Sequence, residues 1–522
     1  AGDLDLTVGG NLTDSAANFA GAVTLAVTGD AVLDAANDFD SVAGTAANLT
    51  LNDIDDLDLA GVNVGAGDLD LTVGGNLTDS AANTAGALVF DVVGDVTLDD
   101  VNNDFVSVLG TAGGQITVVD RQDLALFAVE STLVGGVVSI RTVAGDITDA
   151  NVNETANVIA DNALLDAGGS IGAGGGTASD NNLTAVDLDV DSVEARAGTD
   201  IYLQSLASLN IGGVSGAFGG IIAATGVAKL KAGGAVTAAE TFTAGTDALI
   251  LTTAGDIVLN ADVTAGGRAA AVAAAGVAQN ADIAAGGDLY VQALGGDVAM
   301  ADGTSGTAGG NLRYAAAADI LVGALAAAGD ASLVAGNDIL DNTALEAANV
   351  TAQGLRLAAG GSVGAGGGTQ SDANAAALNT AVANLEAAAG QNIYVDELDA
   401  VTAGGVDGTA ADLARFDSGT TSVPDGDLAG INAAAGVAKL KAGGTVTVAE
   451  TFAAGTDALI LTTAGDIVLN ADVTAGGDAA VVAAAGVAQN ADIAAGGDLY
   501  VQALGGDVAM ADGTSGTAGG NL

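Results

Sequence analysis

The sequence predicts an all-β chain wound as a parallel β-helix, with about 20 residues to a coil and roughly 25 coils. Three observations predict it. Long stretches recur: residues 226–312 return as 436–522, an offset of 210, with five differences in 87 positions, Ala235/Thr445, Ala238/Val448, Thr243/Ala453, Arg268/Asp478 and Ala271/Val481. A shorter period lies inside them, for Gly245, Gly266, Gly286 and Gly309 are spaced 21, 20 and 23 residues apart. Within each short period apolar residues alternate with polar ones, the pattern of a half-buried strand.

Taken in order, GDLDLTV places Leu4, Leu6 and Val8 on one face and Asp3, Asp5 and Thr7 on the other, and AVTLAV turns Val23, Leu25 and Val27 inward. Runs of four to six residues bounded by Gly, Asn and Asp are short strands. The alanine run 269–275 occupies repeat positions that elsewhere read Leu-Tyr-Val-Gln, so it is read as strand despite the helix propensity of alanine. Glycines are expected at corners with positive φ, and small alanines inside a narrow core. Leu249 and Leu251 align with Tyr290 and Gln292 and so point outward, which marks either a face that packs on something or a slip of register.

The long repeats organise the chain as one continuous solenoid, 1–522. Its parts are 1–65 and a partial 66–130, a diverged pair 144–225 and 336–435, and the near-identical pair 226–312 and 436–522. The diverged pair holds GGSIGAGGG at 168–176 and GGSVGAGGG at 360–368, an offset of 192. The change from 192 to 210 locates an insertion of 18 residues near 407–424 that leaves the stack and returns; it holds Arg415, Phe416 and the only proline, Pro424. Both ends fall in the middle of a repeat, so the chain is expected to be an internal fragment of a longer repeat protein.

Composition narrows the function. There are no Cys and no His, which removes thiol nucleophiles, disulfides, zinc fingers and the commonest general base. A net charge of -54, from 65 acidic and 11 basic residues, argues against nucleic acid and anionic lipid as partners. No uncharged apolar run is long enough for a transmembrane helix.

The stretches LTVGGNLTDSAA (6–17 and 71–82), AANDFDSVAGTAANLTLNDIDDLDL (35–59), NNDFVSVLG (102–110) and the region from AGGSIGAGGG to SLNIGGV (167–214) resemble the repeat regions of filamentous-haemagglutinin-like bacterial surface adhesins and fibre proteins. The resemblance implies a right-handed β-solenoid, an extracellular or cell-surface location, and no catalytic residues.

The carboxylates are the abundant chemistry. Asp187, Asp189 and Asp191 alternate along one strand and are the candidate weak Ca²⁺ site, since hard cations take oxygen clusters; the competing reading is a solvated acidic face that keeps the coil soluble. No other cofactor is expected. Paired carboxylates also occur in glycosidases, but aromatic residues and arginines are sparse, and the chain is read as non-enzymatic, with a carboxylate-based polysaccharide-degrading activity as a remote alternative. Lys229, Lys231, Lys439 and Lys441 form Lys-Leu-Lys pairs able to bridge to aspartates on a neighbouring coil or a neighbouring molecule. With Arg415, Phe416, Pro424, Leu249 and Leu251 they are the contact candidates. The expected function is that of a secreted structural rod giving reach and rigidity, with neighbouring copies of itself as partners in a filament. The alternative is a module that binds surface glycans or proteins directly.

Overall fold

The computed structural model describes residues 2–151, 153–175, 181–216, 218–344, 347–366, 374–417 and 419–522. Gly176, Gly367 and Gly368 of the two glycine runs and Ser418 of the insertion lie outside the described residues. The chain is an all-β solenoid of stacked parallel strands without helix, of about 24 turns with about 21 residues each. It divides into two compact units, Ala1–Thr253 with Arg415–Gly419, and Ala254–Ala414 with Thr420–Leu522.

In the first unit the alternation read from the sequence sets the register. Leu4, Leu6 and Val8 pair with Val23, Leu25 and Val27 of the next coil, and Leu49 and Leu51 pair with Leu69 and Leu71. The inward side chains are sealed, with Val23, Leu25 and Val27 all under 5% exposed. The Asn-Asp-Phe segments occupy corners. The amide of Phe39 donates to Asp53 (2.8 Å) and that of Phe105 to Asp120 (2.6 Å), while both phenyl rings are buried in the coil.

In the second unit each regular coil carries two strands of three residues and one of five, for example Ile257–Leu259, Val263–Ala265 and Ala269–Ala273. The next coil repeats them as Val277–Gln279, Ile283–Ala285 and Leu289–Ala293. The alanine run is therefore strand, as the repeat register requires. Like residues stack in columns through Ile257, Val277, Val298, Ile320 and Ile339, every one of them buried. Burying a row of such side chains, at about 25 cal/mol per Å² of apolar surface, and satisfying every strand N–H on the neighbouring coil, are what each turn contributes.

The positive φ expected of corner glycines is found at Gly255 and Gly303, both 85°, but one class of corner differs. Gly245, Gly266, Gly286 and Gly309 do not adopt positive φ. Their hydrogen is needed for another reason: a Cβ on Gly286 would lie 2.2 Å from the carbonyl oxygen of Gly266, and one on Gly309 would lie 2.2 Å from that of Gly286. In several Gly-Gly pairs the second glycine makes room for a side chain of the coil before: a Cβ on Gly310 would meet Asp288 Oδ1 at 2.2 Å, and one on Gly169 would meet Asp146 Oδ1 at 2.0 Å. That same oxygen accepts the amide of Asn311 at 2.8 Å. The arrangement recurs at Asp146 with Ser170 (2.7 Å), Asp319 with Asp338 (2.9 Å) and Asp478 with Asp498 (2.7 Å). Positive φ is used elsewhere, at Gly172 and Gly364 in the glycine runs, with φ of 66° and 62°. The Gly-Gly-Asp/Asn corner is thus a stacking device: bare backbone, then space, then a carboxylate or amide that caps the next coil.

Overpacking at such a contact costs about 1–3 kcal/mol. Gly286→Ala is expected to lower the hydrogen-exchange protection of strand Leu289–Ala293 by that amount. Gly426→Ala, where nothing lies within 4 Å of the added carbon, is expected to leave protection unchanged. Equal protection in both variants would remove the close approach as the reason for glycine.

Candidate functional site

The one departure from parallel stacking among the described residues is built by the insertion. Equivalent corner bonds measure it: the Val227 amide reaches back 27 residues to Asp200 Oδ1, and the Val437 amide reaches back 45 residues to Asn392 Oδ1. The difference is the 18 residues inferred from the repeat offsets. They form an antiparallel hairpin, Ala410–Ala414 against Thr420–Pro424.

Glu386, fully buried in strand Leu378–Ala389, anchors the hairpin at its base. Its two oxygens accept the amides of Val406 (2.8 Å) and Leu428 (3.1 Å), one on each side of the excursion. Its counterpart Glu194 in the earlier repeat instead closes a short loop, accepting the amides of Val214 and Ser215 (both 2.8 Å) and the Ser215 hydroxyl (2.7 Å). Burial raises the pKa of both, but in Glu194 the Ser215 and Val214 donors outweigh it and leave the carboxyl below its ordinary range. In Glu386 burial, with the charges of Asp427 and Glu450, leaves it above. Glu386, Asp427 and Glu450 bring carboxylate oxygens within 4.8 Å of one another, the one such group among the described residues. It is an oxygen set of the kind that holds Ca²⁺ or Mg²⁺, although backbone donors already occupy both Glu386 oxygens.

The hairpin lies flat on the outward face of its own solenoid. In the second unit the Asp412 amide donates to Asp288 Oδ2 (2.8 Å), Arg268 reaches the Asp412 carboxylate at 3.3 Å, and Asn311 donates to the Ala410 carbonyl (2.7 Å). Arg313 forks onto Asp425 at 2.9 and 3.1 Å, stacks over the Tyr290 ring at 5.3 Å, and Ser332 adds a 2.7 Å bond to the same carboxylate. Burial pushes the Asp425 carboxyl up, but its bonds to Arg313 and Ser332 hold it below the ordinary value. Small residues on the inner side of the hairpin, Ala411 and Ala414, are buried and permit the close approach. In the first unit the turn residues complete the contact: the Lys229 ammonium donates to the Asp417 carbonyl, and the Lys231 ammonium sits over the Phe416 ring at 5.7 Å.

The near-identical repeats form an internal control. Ala270 and Val272 are 3% and 8% exposed where the hairpin lies, whereas Ala480 and Val482, at the same positions of the second copy, are half-buried. Leu249 and Leu251 are 1% and 9% exposed and Leu459 and Leu461 are half-buried. The register of Leu249 and Leu251 is regular, since they pair with Lys229 and Lys231.

Several expectations are corrected. Leu249 and Leu251 keep their register and lie on a packed face, the first of the two alternatives, so as contact candidates for another molecule they are already covered. Phe416 is fully buried and Arg415, half-buried, sits in the turn with its amide bonded to Gly419 (3.0 Å), so of the insertion's three candidates only Pro424 is exposed. Lys229 is 2% exposed and spent inside the chain. Lys441 bridges to Asp396 on the neighbouring coil at 2.5 Å, and Lys439 sits 5.7 Å over Tyr394. The aspartates do not form one open carboxylate cluster: Asp189 and Asp191 are exposed, whereas Asp187 is covered, 2% exposed beside Glu154 and Asp149. The hairpin contacts were missed because they join residues 93 to 188 positions apart; the signals were Arg268/Asp478 among the five differences and the two outward leucines.

A family model described as repeats of unknown function (DUF5649) matches residues 1–46 and 46–112. Neither the curated proteins nor the solved structures give a match to the chain. Together with the fold, the family match makes this a repeat β-solenoid protein.

Two outcomes follow. Breaking a buried ion pair from one side costs about 3–5 kcal/mol, so Asp425→Ala is expected to release the hairpin by about 3 kcal/mol, read as faster hydrogen exchange in Ala410–Ala414 and Thr420–Pro424 with the solenoid strands unchanged. The second concerns pH. Burial lifts Asp120 to about 6, and Asp187 and Glu397 to about 7, with the charges of Glu154 and Asp149 adding to Asp187. A carboxyl with a raised folded-state pKa takes up its proton more readily folded than unfolded, so stability rises as pH falls from about 8 to about 5. Asp187→Asn, which copies Asn379 of the sister repeat, is expected to raise the melting temperature at pH 8 and to flatten that rise; a melting temperature that falls over this window would contradict the burial argument.

Proposed function

We propose that this chain is a structural segment of a secreted cell-surface fibre or adhesin, supplying reach and stiffness rather than catalysis. The observation that carries this reading is the uniform corner. In each unit the same aspartate or asparagine bond ties coil to coil, as at Asp95 with Gln115 (2.7 Å) and Asp282 with Ser305 (2.7 Å), so tension is shared by backbone ladders and caps along the stack. Stability in such an array accumulates from neighbour to neighbour. The acidic surface of a chain with net charge -54 supports the same reading, since like charge keeps exposed strand faces from pairing with other molecules. The sequence resemblance to filamentous-haemagglutinin-like repeats supports the location. A role in direct glycan or protein binding is the second reading, favoured by a hairpin that leaves the regular stack.

The test is mechanical. Pulled from its ends in magnetic tweezers, the chain is expected to lengthen in coil-sized steps of about 21 residues, each releasing roughly 70 Å of extended chain. Extension in one transition at low force would overturn the structural role. Protease added to intact cells of the source organism is expected to release peptides of this chain; release only after lysis would overturn the location.

A further inference from the structure

Within the first unit, residues 153–157 lie beside strand Val186–Asp189 and leave a set of buried oxygens without donors. Val186 and Leu188 are sealed in the core, so Asp187 between them faces outward, yet it is 2% exposed. Its amide donates to Asn157 Oδ1 at 2.8 Å. Asn157 spends its own amide group on Asp149 Oδ1 at 2.7 Å and on the Leu126 carbonyl at 2.8 Å. Gln204, the register partner of Asp187 on the next coil and 6% exposed, donates to Glu154 Oε2. The donors are then used up. Asp149 Oδ2, Glu154 Oε1, Asp187 Oδ1 and Gln204 Oε1 are all buried, and none receives a hydrogen bond. Turning the Gln204 amide over would set its oxygen against the Glu154 carboxylate, so a flip relieves nothing. The charges of Glu154 and Asp149 both bear on Asp187. Lys231, which follows Gln204 in register, offsets them only in part, with its ammonium over the Phe416 ring at 5.7 Å.

The sister repeat resolves the same column another way. It carries Asn379 for Asp187 and Asp396 for Gln204, and Asp396 pairs with Lys441 at 2.5 Å. None of Asp341, Asn379 and Asp396 keeps an orphaned buried oxygen. The first repeat instead holds its carboxylate one coil farther from the lysine, beside two others. Acceptors without donors, two of them on side chains more than nine-tenths buried, are surroundings that a metal cation completes. Glu386, Asp427 and Glu450 stand closer together, but there two amides already hold the best-buried member. Ca²⁺ suits the wider set, since it takes about six to eight oxygens in flexible geometry, amide carbonyls and water included.

We propose that Asp149, Glu154, Asp187 and Gln204 form a Ca²⁺ site, the ion taking the four orphaned oxygens with water in its remaining positions. It keeps Asp187 of the three aspartates that alternate along the strand and replaces the two exposed ones. The ion pins residues 153–157 to the coil.

The test titrates Ca²⁺ into the chelator-treated full chain by calorimetry, in about 0.15 M salt to screen diffuse attraction to the acidic surface. Its control is the full chain with Asp187→Asn and Gln204→Asp together. These are the residues of the sister repeat, the net charge is unchanged, and the new aspartate faces Lys231 as Asp396 faces Lys441. The natural chain is expected to bind one ion at least about tenfold more tightly than the exchanged chain, and Glu154→Gln to weaken that binding by a similar factor, since ligand charge sets the affinity. Ca²⁺ is expected to slow hydrogen exchange in residues 153–159 and in Val186–Asp189 of the natural chain alone. A ligand held by the folded form stabilises it, so the gain in melting temperature from Asp187→Asn at pH 8 is the result in chelator, and Ca²⁺ reverses it. Equal affinity in the natural and exchanged chains, saturable uptake in neither, or uptake without added protection at 153–159 would overturn the proposal.

Discussion

The spacing between coils at the Gly-Gly-Asp/Asn corner is the constraint on which the rest of this structure depends. Adjacent coils approach so closely there that the carbonyl of one glycine fills the space where a Cβ of the next would sit, as at Gly266 and Gly286. Strand ladders can close on both sides of the corner only if that approach is allowed. The following aspartate or asparagine then supplies the acceptor that a turning backbone lacks. One tripeptide thus settles stacking distance, corner direction and amide satisfaction, and its repetition explains a composition rich in glycine and aspartate and almost free of proline.

Much of the acidity has a structural origin in these corners. Asp95, Asp146, Asp282, Asp288 and Asp319 each accept a backbone amide from the coil that follows. A smaller set, Asp53, Asp120 and Asp187, is buried deeply enough that desolvation dominates and the carboxyls are driven upward. Two classes of carboxylate therefore coexist, one hydrogen-bonded at the rim, the other carrying a desolvation cost that its hydrogen bonds only partly offset.

How much was legible in the sequence follows from the range of each interaction. The strands, the period and the 18-residue excursion were readable because they are written in local alternation and in repeat offsets. The corner glycines were located correctly but for a different physical reason, since sequence spacing does not distinguish a positive φ from a close contact with the coil below. The landing place of the hairpin was hidden, because Asp425 finds Arg313 only after Ser332, Arg356 and Glu386 have stacked in turn upon it. Its traces were present nonetheless: two leucines on an outward face, and a reversal of charge at one of very few differences between otherwise matching repeats. Asp187, Asp189 and Asp191 misled for the opposite reason, since alternation along a strand does not reveal that a neighbouring segment covers its first residue.

The module 226–312 and its copy have kept nearly the same residues, with five differences in 87 positions, although the hairpin meets the outward face of the first. The buried columns therefore do not depend on what the outward face carries. Such a solenoid separates the task of stacking from the task of display, so that an arm on its outside needs no redesign of its inside.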